Sequence, residues 1–473
     1  MSGSRIAVFG LGRSGLGIAR AALASGDLPH IYDQSTEGAI SKKDALDEAR
    51  SLGVLVSLDW DGTLEAGTDF LVLNPAVPSD HPFVRGALAA GIPVIGEIEY
   101  AYRISKAPIV AITGTNGKST TTVMTYLCLR ACGVDAVLCG NIFGSGYPEQ
   151  SLTEAALAST PEQVLVAEVS SFQLEWTKDF RPAVAGITNI WPDHLDRYES
   201  FQDYTAAKHR IFASMRAGDF AVVRANDPMV VPPGGSRSAY KPRGRRQAAS
   251  SAGGSIPAVL TFGATGEHAR VEERDLVVLG HRIPLEYLPF SEPHNHQNAA
   301  MAALLAAAAL AYREHADQAE FQPCLADGLN TFHGLAHRME LVGEREGVRV
   351  INNSMCTNPD AVMKSVQAVK DRTHILMGGV NKRLDFGPLR HYLANHRHRV
   401  YLFGKDAETL REMLALDAPL YASMEDAFKA AVQSATKGEV VMLAPGCAST
   451  DSFRDFRDRG NVFKAIATDW LRT

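Results

Sequence analysis

No stretch of this 473-residue chain is apolar over the ~20 residues that a membrane-spanning helix requires. The most apolar run, 299–312, is alanine-rich and stops short of that length. The opening residues, MSGSRIAVFG, carry no basic leader and no long apolar segment, and they run straight into a strand-like stretch. Cysteine is scarce: six residues, none in CxxC spacing. That excludes a zinc-ribbon pattern and a disulfide framework, and predicts reduced thiols in a cytoplasmic protein. Neither sign of charge dominates, with 47 Lys and Arg against 53 Asp and Glu for a net −6, so no polyanion-binding surface is expected overall. No internal repeat is evident.

What is present is ordinary globular material, 46% hydrophobic and 21% charged, enough to bury several cores. The length predicts about two to four domains. Short β-branched runs alternate with helical patterns, which predicts an α/β fold with parallel sheets and crossover helices. Three blocks separate, at 1–103, 104–332 and 333–473. Strands are expected at 5–9, 30–32, 54–57, 70–73 and 93–95 in the first block. The second should carry strands at 108–113, 163–169, 183–189, 220–224 and 258–262, a hairpin over 275–285 and a helix over 295–313. The third should carry strands at 348–352, 373–377, 399–403 and 439–444. The Gly-, Ser-, Pro- and Arg-rich segment 232–257 reads as a mobile surface insertion rather than a nucleic-acid-binding arm.

The strongest single signal is Thr113-Gly114-Thr115-Asn116-Gly117-Lys118-Ser119-Thr120, between a strand (PIVAI) and a helix opening at Lys118. Such a loop aims backbone N–H groups and the helix N-terminus at phosphates. Lys118 would reach the β/γ phosphates, and Ser119 or Thr120 would place a hydroxyl on Mg²⁺. The spacing is shorter than the general phosphate-loop pattern. In the first block, Gly10-Leu11-Gly12-Arg13-Ser14-Gly15 satisfies GxGxxG after a strand, and Asp33 follows at the end of the second strand. Alone, that pattern supports a dinucleotide-binding Rossmann half, as in a dehydrogenase.

Further strand ends carry polar clusters. Glu168 closes a strand, where a carboxylate faces the ligand crevice and suits a hard cation. His194 lies in Thr188-Asn189-Ile190-Trp191-Pro192-Asp193-His194, and taken alone is either a metal ligand or a packed loop histidine. Lys208, on a helix, and Lys382, in Gly378-Gly379-Val380-Asn381-Lys382, would in isolation be solvated lysines. Asn295 and Asn298 at a helix start would in isolation be caps.

Together these motifs resemble the Mur ligase family. The GTNGKST loop is shared by the Mur ligase and folylpolyglutamate synthetase superfamily. Leu443-Ala444-Pro445-Gly446-Cys447-Ala448-Ser449-Thr450-Asp451-Ser452-Phe453 resembles a motif of the family's D-glutamate-adding members. The resemblance spans nearly the whole chain apart from 232–257. It implies three α/β domains: a Rossmann-like N-terminal domain, a central P-loop ATPase domain and a Rossmann-like C-terminal domain.

It also implies ATP bound by Gly114, Thr115, Asn116, Gly117, Lys118, Ser119 and Thr120, with Asn295 and Asn298 toward the adenine and Arg338 at the ATP. Mg²⁺ at two sites would be organised by Ser119, Glu168, His194 and Lys208, the lysine carbamylated. The nucleotide-sugar substrate, UDP-N-acetylmuramoyl-L-alanine, would meet Arg13, Ser14, Asp33, Gln34, Ser35 and Asn141. Glutamate would meet Thr357, Lys382, Ser449 and Phe456. Lys118, Glu168, His194 and Lys208 would carry catalysis. The expected protein is a cytoplasmic monomer with no nucleic-acid or membrane partner.

Two departures stand out. Ala76 replaces a family glycine, and Asn353 and Met355 replace a family Asp and Lys, so two opposite charges vanish together. Alternatives to D-glutamate addition are addition of L-glutamate or another amino acid, and a non-catalytic nucleotide-sugar-binding protein. A folylpolyglutamate synthetase fits less well, because the GxGxxG block precedes the ATP loop.

Overall fold

The computed structural model describes residues 3–36, 43–75, 77–78, 80–194, 197–230, 257–316, 318–381 and 384–472, without the Arg13 side chain. Of the sequence expectations, Lys382, Ala76 and all of 232–257 except Pro257 lie outside the described residues. The chain divides into two compact units, Met1–Phe143 with Tyr147–His333, and Gly144–Gly146 with Gly334–Thr473. The first holds two sheets and the second one.

The N-terminal sheet contains β1 (Arg5–Phe9), β2 (Leu28–Tyr32), β3 (Leu55–Ser57), β4 (Phe70–Leu73) and β5 (Val94–Gly96), crossed by α1 (Arg13–Ala24), α2 (Lys43–Ser51), α3 (Pro82–Ala89) and α4 (Glu97–Ile104). Strand order is β3-β2-β1-β4-β5, all parallel. Alternation along β1 sends Ile6 and Val8 to one core and Ala7 and Phe9 to another. A parallel sheet covered on both faces requires this, and the strand therefore reads as a continuous apolar run. α1 begins at Arg13, inside the Gly10–Gly15 motif itself. A Cβ on Gly15 would stand 2.0 Å from the Gly10 carbonyl, so the helix closes directly on the turn.

The central sheet contains β6 (Ile109–Thr113), β7 (Ala136–Gly140), β8 (Val164–Glu168), β9 (Val184–Ile187), β10 (Phe220–Arg224), β11 (Ala258–Phe262), β12 (Ala269–Glu272), β13 (Asp275–Val278) and β14 (His281–Pro284). Its helices are α5 (Lys118–Ala131), α6 (Leu152–Ala158), α7 (Ser171–Leu174), α8 (Phe201–His209), α9 (Pro293–Arg313) and α10 (Cys324–Asn330). Order is β14-β13-β12-β11-β10-β9-β6-β8-β7, antiparallel only at the β12-β13-β14 edge. β7 was not expected. The alanine-rich run is the heart of α9, buried without a break from Ala299 to Ala311 and packed against α5. A helix apolar on all sides belongs inside a core. Among the described residues, no helix is long and apolar enough to cross a membrane.

The second unit contains β15 (Glu340–Arg345), β16 (Val348–Asn352), β17 (Thr373–Gly378), β18 (Arg399–Phe403), β19 (Leu420–Tyr421) and β20 (Val440–Gly446), with α11 (Pro359–Val369), α12 (Gly387–Ala394), α13 (Ala407–Leu414), α14 (Met424–Ser434) and α15 (Phe456–Arg472). Order is β15-β16-β20-β17-β18-β19, and only β15 is antiparallel. Beneath it, fully buried His374 bonds Tyr401 Oη at 2.8 Å and Glu439 at 3.0 Å. Burial alone would raise the Glu439 pKa, but His374, the Thr436 N–H and Arg372 outweigh it and hold the carboxyl at about 2.

The expectation of six reduced thiols is corrected. Cys132, at the end of α5, and Cys324, opening α10, form a disulfide across 192 residues with Cα atoms 5.0 Å apart. Sequence spacing gave no sign of it, because the two cysteines are 192 residues apart and meet only where α10 packs on α5. Cys128, Cys139, Cys356 and Cys447 are free and buried. Cross-linking so long a loop stabilises by about 2–4 kcal/mol, chiefly by restricting the unfolded chain. Reductant should therefore lower the denaturant midpoint of the wild type, and Cys324→Ser should start low and ignore reductant. Equal wild-type midpoints with and without reductant would refute the cross-link.

Candidate functional site

In the first unit, parallel strands bring polar loops to one edge. Ligands bind outside the carboxyl ends of such strands. Turns after β1 and β4, at the point where the N-terminal strand order reverses, meet loops after β6, β7, β8 and β9. The cavity between them is about 500 Å³. Ser14, Asn74 and Pro75 line it from the N-terminal sheet; Lys118, Asn141, His194 and Lys208 line it from the central one.

The loop from Thr113 to Lys118 is fixed by glycine geometry. Gly114 has φ +149° and Gly117 has φ +79°. A Cβ at 114 would stand 1.9 Å from Thr188 Oγ1, and one at 117 would stand 2.5 Å from Asn298 Oδ1. The Thr188 hydroxyl donates to the Asn116 carbonyl at 2.6 Å, and the Asn116 N–H donates to Asn189 Oδ1 at 3.0 Å. The Trp191 N–H donates to Thr115 Oγ1 at 3.0 Å, and Thr115 shares a 3.0 Å hydroxyl bond with Tyr204. The end of β9 thus shapes the loop, and Asn298 of α9 stands beside it. Asn295 Nδ2 donates to Glu292, and Asn298 Nδ2 to Asn295, rather than capping the helix. Lys118 Nζ donates to the Thr115 carbonyl at 2.9 Å. Ser119 is half-buried and Thr120 buried.

Lys208 is 2% exposed, and its Nζ donates to the Gly114 carbonyl at 2.8 Å. Burial first, and the Lys118 cation second, lower its pKa to about 6. Glu168 is 3% exposed. Its Oε1 accepts from Asn141 Nδ2 at 3.4 Å, and its Oε2 is buried without a hydrogen-bond partner. An orphaned carboxylate oxygen at the end of β8 suits a hard cation, as does the exposed Asp193-His194 pair. Among the described residues, however, no three His, Cys, Asp or Glu side chains converge as a ready-made metal cage. A magnesium ion here would take its remaining ligands from phosphate and water, as that ion commonly does.

Asp33 Oδ2 accepts the Leu11 N–H at 2.6 Å, and Oδ1 accepts the Ser35 N–H at 2.9 Å. Its carboxylate therefore braces the glycine turn. Gln34 is exposed and Ser35 half-buried; neither lines the cavity.

Sequence reasoning missed four contributors. Glu97 lines the cavity fully buried, its pKa raised by burial, and accepts from Thr153 Oγ1 at 2.6 Å and Gln173 Nε2 at 3.3 Å. Gln173 stands five residues after Glu168 and Tyr204 four before Lys208, whereas nothing in the sequence pointed to Glu97. Arg197 donates to the Pro75 and Val77 carbonyls at 3.1 Å each, pairs with Glu175 at 2.8 Å and lies 4.1 Å over Phe172. It holds the turn after β4 in place.

In the second unit, Thr357, Ser449 and Phe456 lie on segments following β16 and β20. Ser449 is buried and Thr357 half-buried, while Phe456 opens α15. Asn353 Nδ2 donates to Ser365 Oγ at 2.7 Å, and its Oδ1 accepts the Met339 N–H at 3.2 Å. Arg338 Nη2 lies 3.3 Å from Met355 Sδ.

A phosphate loop beside a GxGxxG sheet, with a separate α/β unit following, defines a three-domain nucleotide-dependent enzyme. Family models agree: the Mur ligase middle domain matches residues 112–306, and the Mur ligase glutamate ligase domain matches 337–447. The UDP-N-acetylmuramoylalanine–D-glutamate ligase of Caldanaerobacter subterraneus subsp. tengcongensis is 35% identical over 476 residues, covering 99% of each chain. That of Geobacter metallireducens is 36% identical over 469 residues, covering 98% of this chain and 97% of its own. The fold is also that of UDP-N-acetylmuramate-alanine ligase from Thermotoga maritima, with TM-score 0.57 at 18% identity over 98% and 99% of the two chains. The chain belongs to the Mur ligase family.

Lys208 gives a stability test. The unfolded chain binds this proton with pKa 10.5, whereas the folded protein releases it at about 6. The unfolded state therefore holds more protons between these values, and the burial penalty shrinks as pH rises through that window. Lys208→Met should be more stable than wild type, by most near pH 6 and by progressively less toward pH 9. A pH-independent difference in denaturant midpoint would contradict the burial of this amine.

Proposed function

We propose that the protein is an ADP-forming ligase joining glutamate, as the D enantiomer, to UDP-N-acetylmuramoyl-L-alanine in peptidoglycan precursor synthesis. What carries the reading is one cavity lined by both the GxGxxG turn and the phosphate-loop lysine, in a chain 35% identical over its full length to a ligase of that name. Residues 1–103 hold the uridine diphosphate, 104–332 the ATP, and 333–473 the amino acid.

In this scheme the acceptor's terminal carboxylate oxygen attacks the γ-phosphorus and ADP leaves. The amine of glutamate then attacks the acyl carbon, and inorganic phosphate departs with both electrons of the C–O bond. Phosphorylation is needed because a carboxylate is a poor acyl donor. Ser14, Asn74 and Asn141 orient the acceptor. Lys118, with the loop N–H groups and the N-terminus of α5, stabilises charge on the transferring phosphoryl group. Asn295, Asn298 and Arg338 hold the rest of the nucleotide. Ser119, Glu168, His194 and, once carbamylated, Lys208 would hold Mg²⁺, which would supply charge neutralisation on the phosphates. Thr357, Lys382, Ser449 and Phe456 receive glutamate.

Lys208 is suited to carbamylation. A lysine largely neutral at pH 7 is nucleophilic toward CO₂, and the product anion would balance the cations around it. Labelled bicarbonate should enter the protein along a curve rising through about pH 6 and flat by about pH 8. A half-point near the ordinary 10.5 would refute this.

The protein acts as a cytoplasmic monomer, where ATP and its precursor substrate are found. The decisive assay is phosphate release with each substrate omitted in turn. Release is expected only with ATP, Mg²⁺, UDP-N-acetylmuramoyl-L-alanine and D-glutamate together. Turnover with L-glutamate instead would move the specificity, and turnover with neither enantiomer would end the assignment.

A further inference from the structure

Arg459, in the first turn of α15, is 0% exposed. It is the largest side chain among the fully buried ones of the described residues. Its guanidinium reaches the ends of three adjacent parallel strands. Nε donates to Ser354 Oγ at 3.0 Å and Nη2 to the Ser354 carbonyl at 2.9 Å, just past β16. Nη1 donates to the Cys447 carbonyl at 3.1 Å, past β20, and to the Gly378 carbonyl at 3.4 Å, at the end of β17. Ser354 Oγ in turn donates to the Phe456 carbonyl at 2.7 Å. Every one of these hydrogen-bond acceptors is neutral, while the Asp451 carboxylate acts on the guanidinium through its charge alone.

The loops so joined are tight. Gly379 has φ +123°, and a Cβ there would meet the Ala448 carbonyl at 2.0 Å and Arg459 Nη1 at 3.3 Å. The loops after β17 and β20 also pair through Val380 and Ala448 at 2.8 and 3.0 Å. Burial lowers the Arg459 pKa only to about 10, so the group stays charged at neutral pH. A buried cation whose hydrogen bonds go to neutral groups is expensive to keep for stability alone. It sets a positive potential beneath the loops that carry Thr357, Lys382, Ser449 and Phe456.

We infer that Arg459 is a positioning residue of the amino-acid site: it locks the three strand-end loops together and holds a positive charge beneath them that favours a carboxylate of the incoming amino acid. This rests on the ligase reading above. Lysine in its place keeps the charge but not the planar fork that spans three loops.

The test compares wild type, Arg459→Lys and Ser354→Ala in steady-state kinetics, with glutarate as a competitor that has the carboxylates of glutamate but no amine. Arg459→Lys should raise the KM for glutamate and the glutarate inhibition constant by about tenfold or more, with the KM for ATP and for the nucleotide sugar changed by less than about twofold. Ser354→Ala, which removes one neutral partner, should shift the same two constants by a smaller factor and serves as the test if the lysine variant does not fold. A folded variant with an unchanged glutamate KM, or with all KM values raised alike, would overturn the inference. Wild-type turnover without glutamate dependence would instead overturn the ligase reading.

Discussion

The phosphate loop can close only because residue 114 has no side chain. Its Cα passes so near Thr188 that a methyl group there would overlap the threonine hydroxyl. Once that approach is made, Thr188 and Asn189 hold both the backbone N–H and the carbonyl of Asn116. Thr115 joins Trp191 and Tyr204, and the Gly114 carbonyl turns to Lys208. The N-terminus of α5 is thereby aimed into the cavity. Loop, helix, β9 and α8 form one assembly, and the cavity depends on it.

Both units bury a basic side chain beneath a row of parallel strand ends. Lys208 lies under the phosphate loop, and Arg459 under the loops after β16, β17 and β20. Each hydrogen-bonds neutral carbonyl or hydroxyl oxygens, with carboxylates acting only through their charge, Asp193 and Glu168 on Lys208 and Asp451 on Arg459. Desolvation makes such groups costly, so their presence marks places where charge is to be supplied or received. Glu97 is the acidic counterpart on the cavity wall, and the orphaned oxygen of Glu168 lies buried behind Asn141, which lines it. Arg197 and Glu99 keep that site assembled. Arg197 grips the turn after β4, and Glu99 Oε2 accepts the Lys178, Asp179 and Phe180 N–H groups at 2.9, 3.0 and 2.9 Å.

The charge-free pair Asn353 and Met355 is accommodated without strain. The Asn353 amide donates to Ser365 and accepts from Met339, roles in which an ionised carboxylate could accept but not donate. Met355 offers its sulfur to Arg338, which a lysine ammonium would repel. The two replacements therefore suit one another and their neighbours.

Local sequence determined a great deal. Buried parallel strands read as unbroken apolar runs, and glycine before a lysine-led helix has one economical conformation, so most strands and both glycine loops were legible residue by residue. The strand ends at Glu168 and Thr188 announced a crevice for the same reason: in a parallel sheet their direction alone decides which edge they share. Other features were decided only by the tertiary structure, because they depend on segments far apart in the chain. No spacing could reveal that α10 would lay Cys324 on Cys132. Nor could it show that burial would strip Lys208 of its proton, that Glu97 would turn into the cavity, or that one guanidinium in the last helix would reach three strands at once. Those are consequences of desolvation and of contact between distant residues, and neither exists until the sheets have formed.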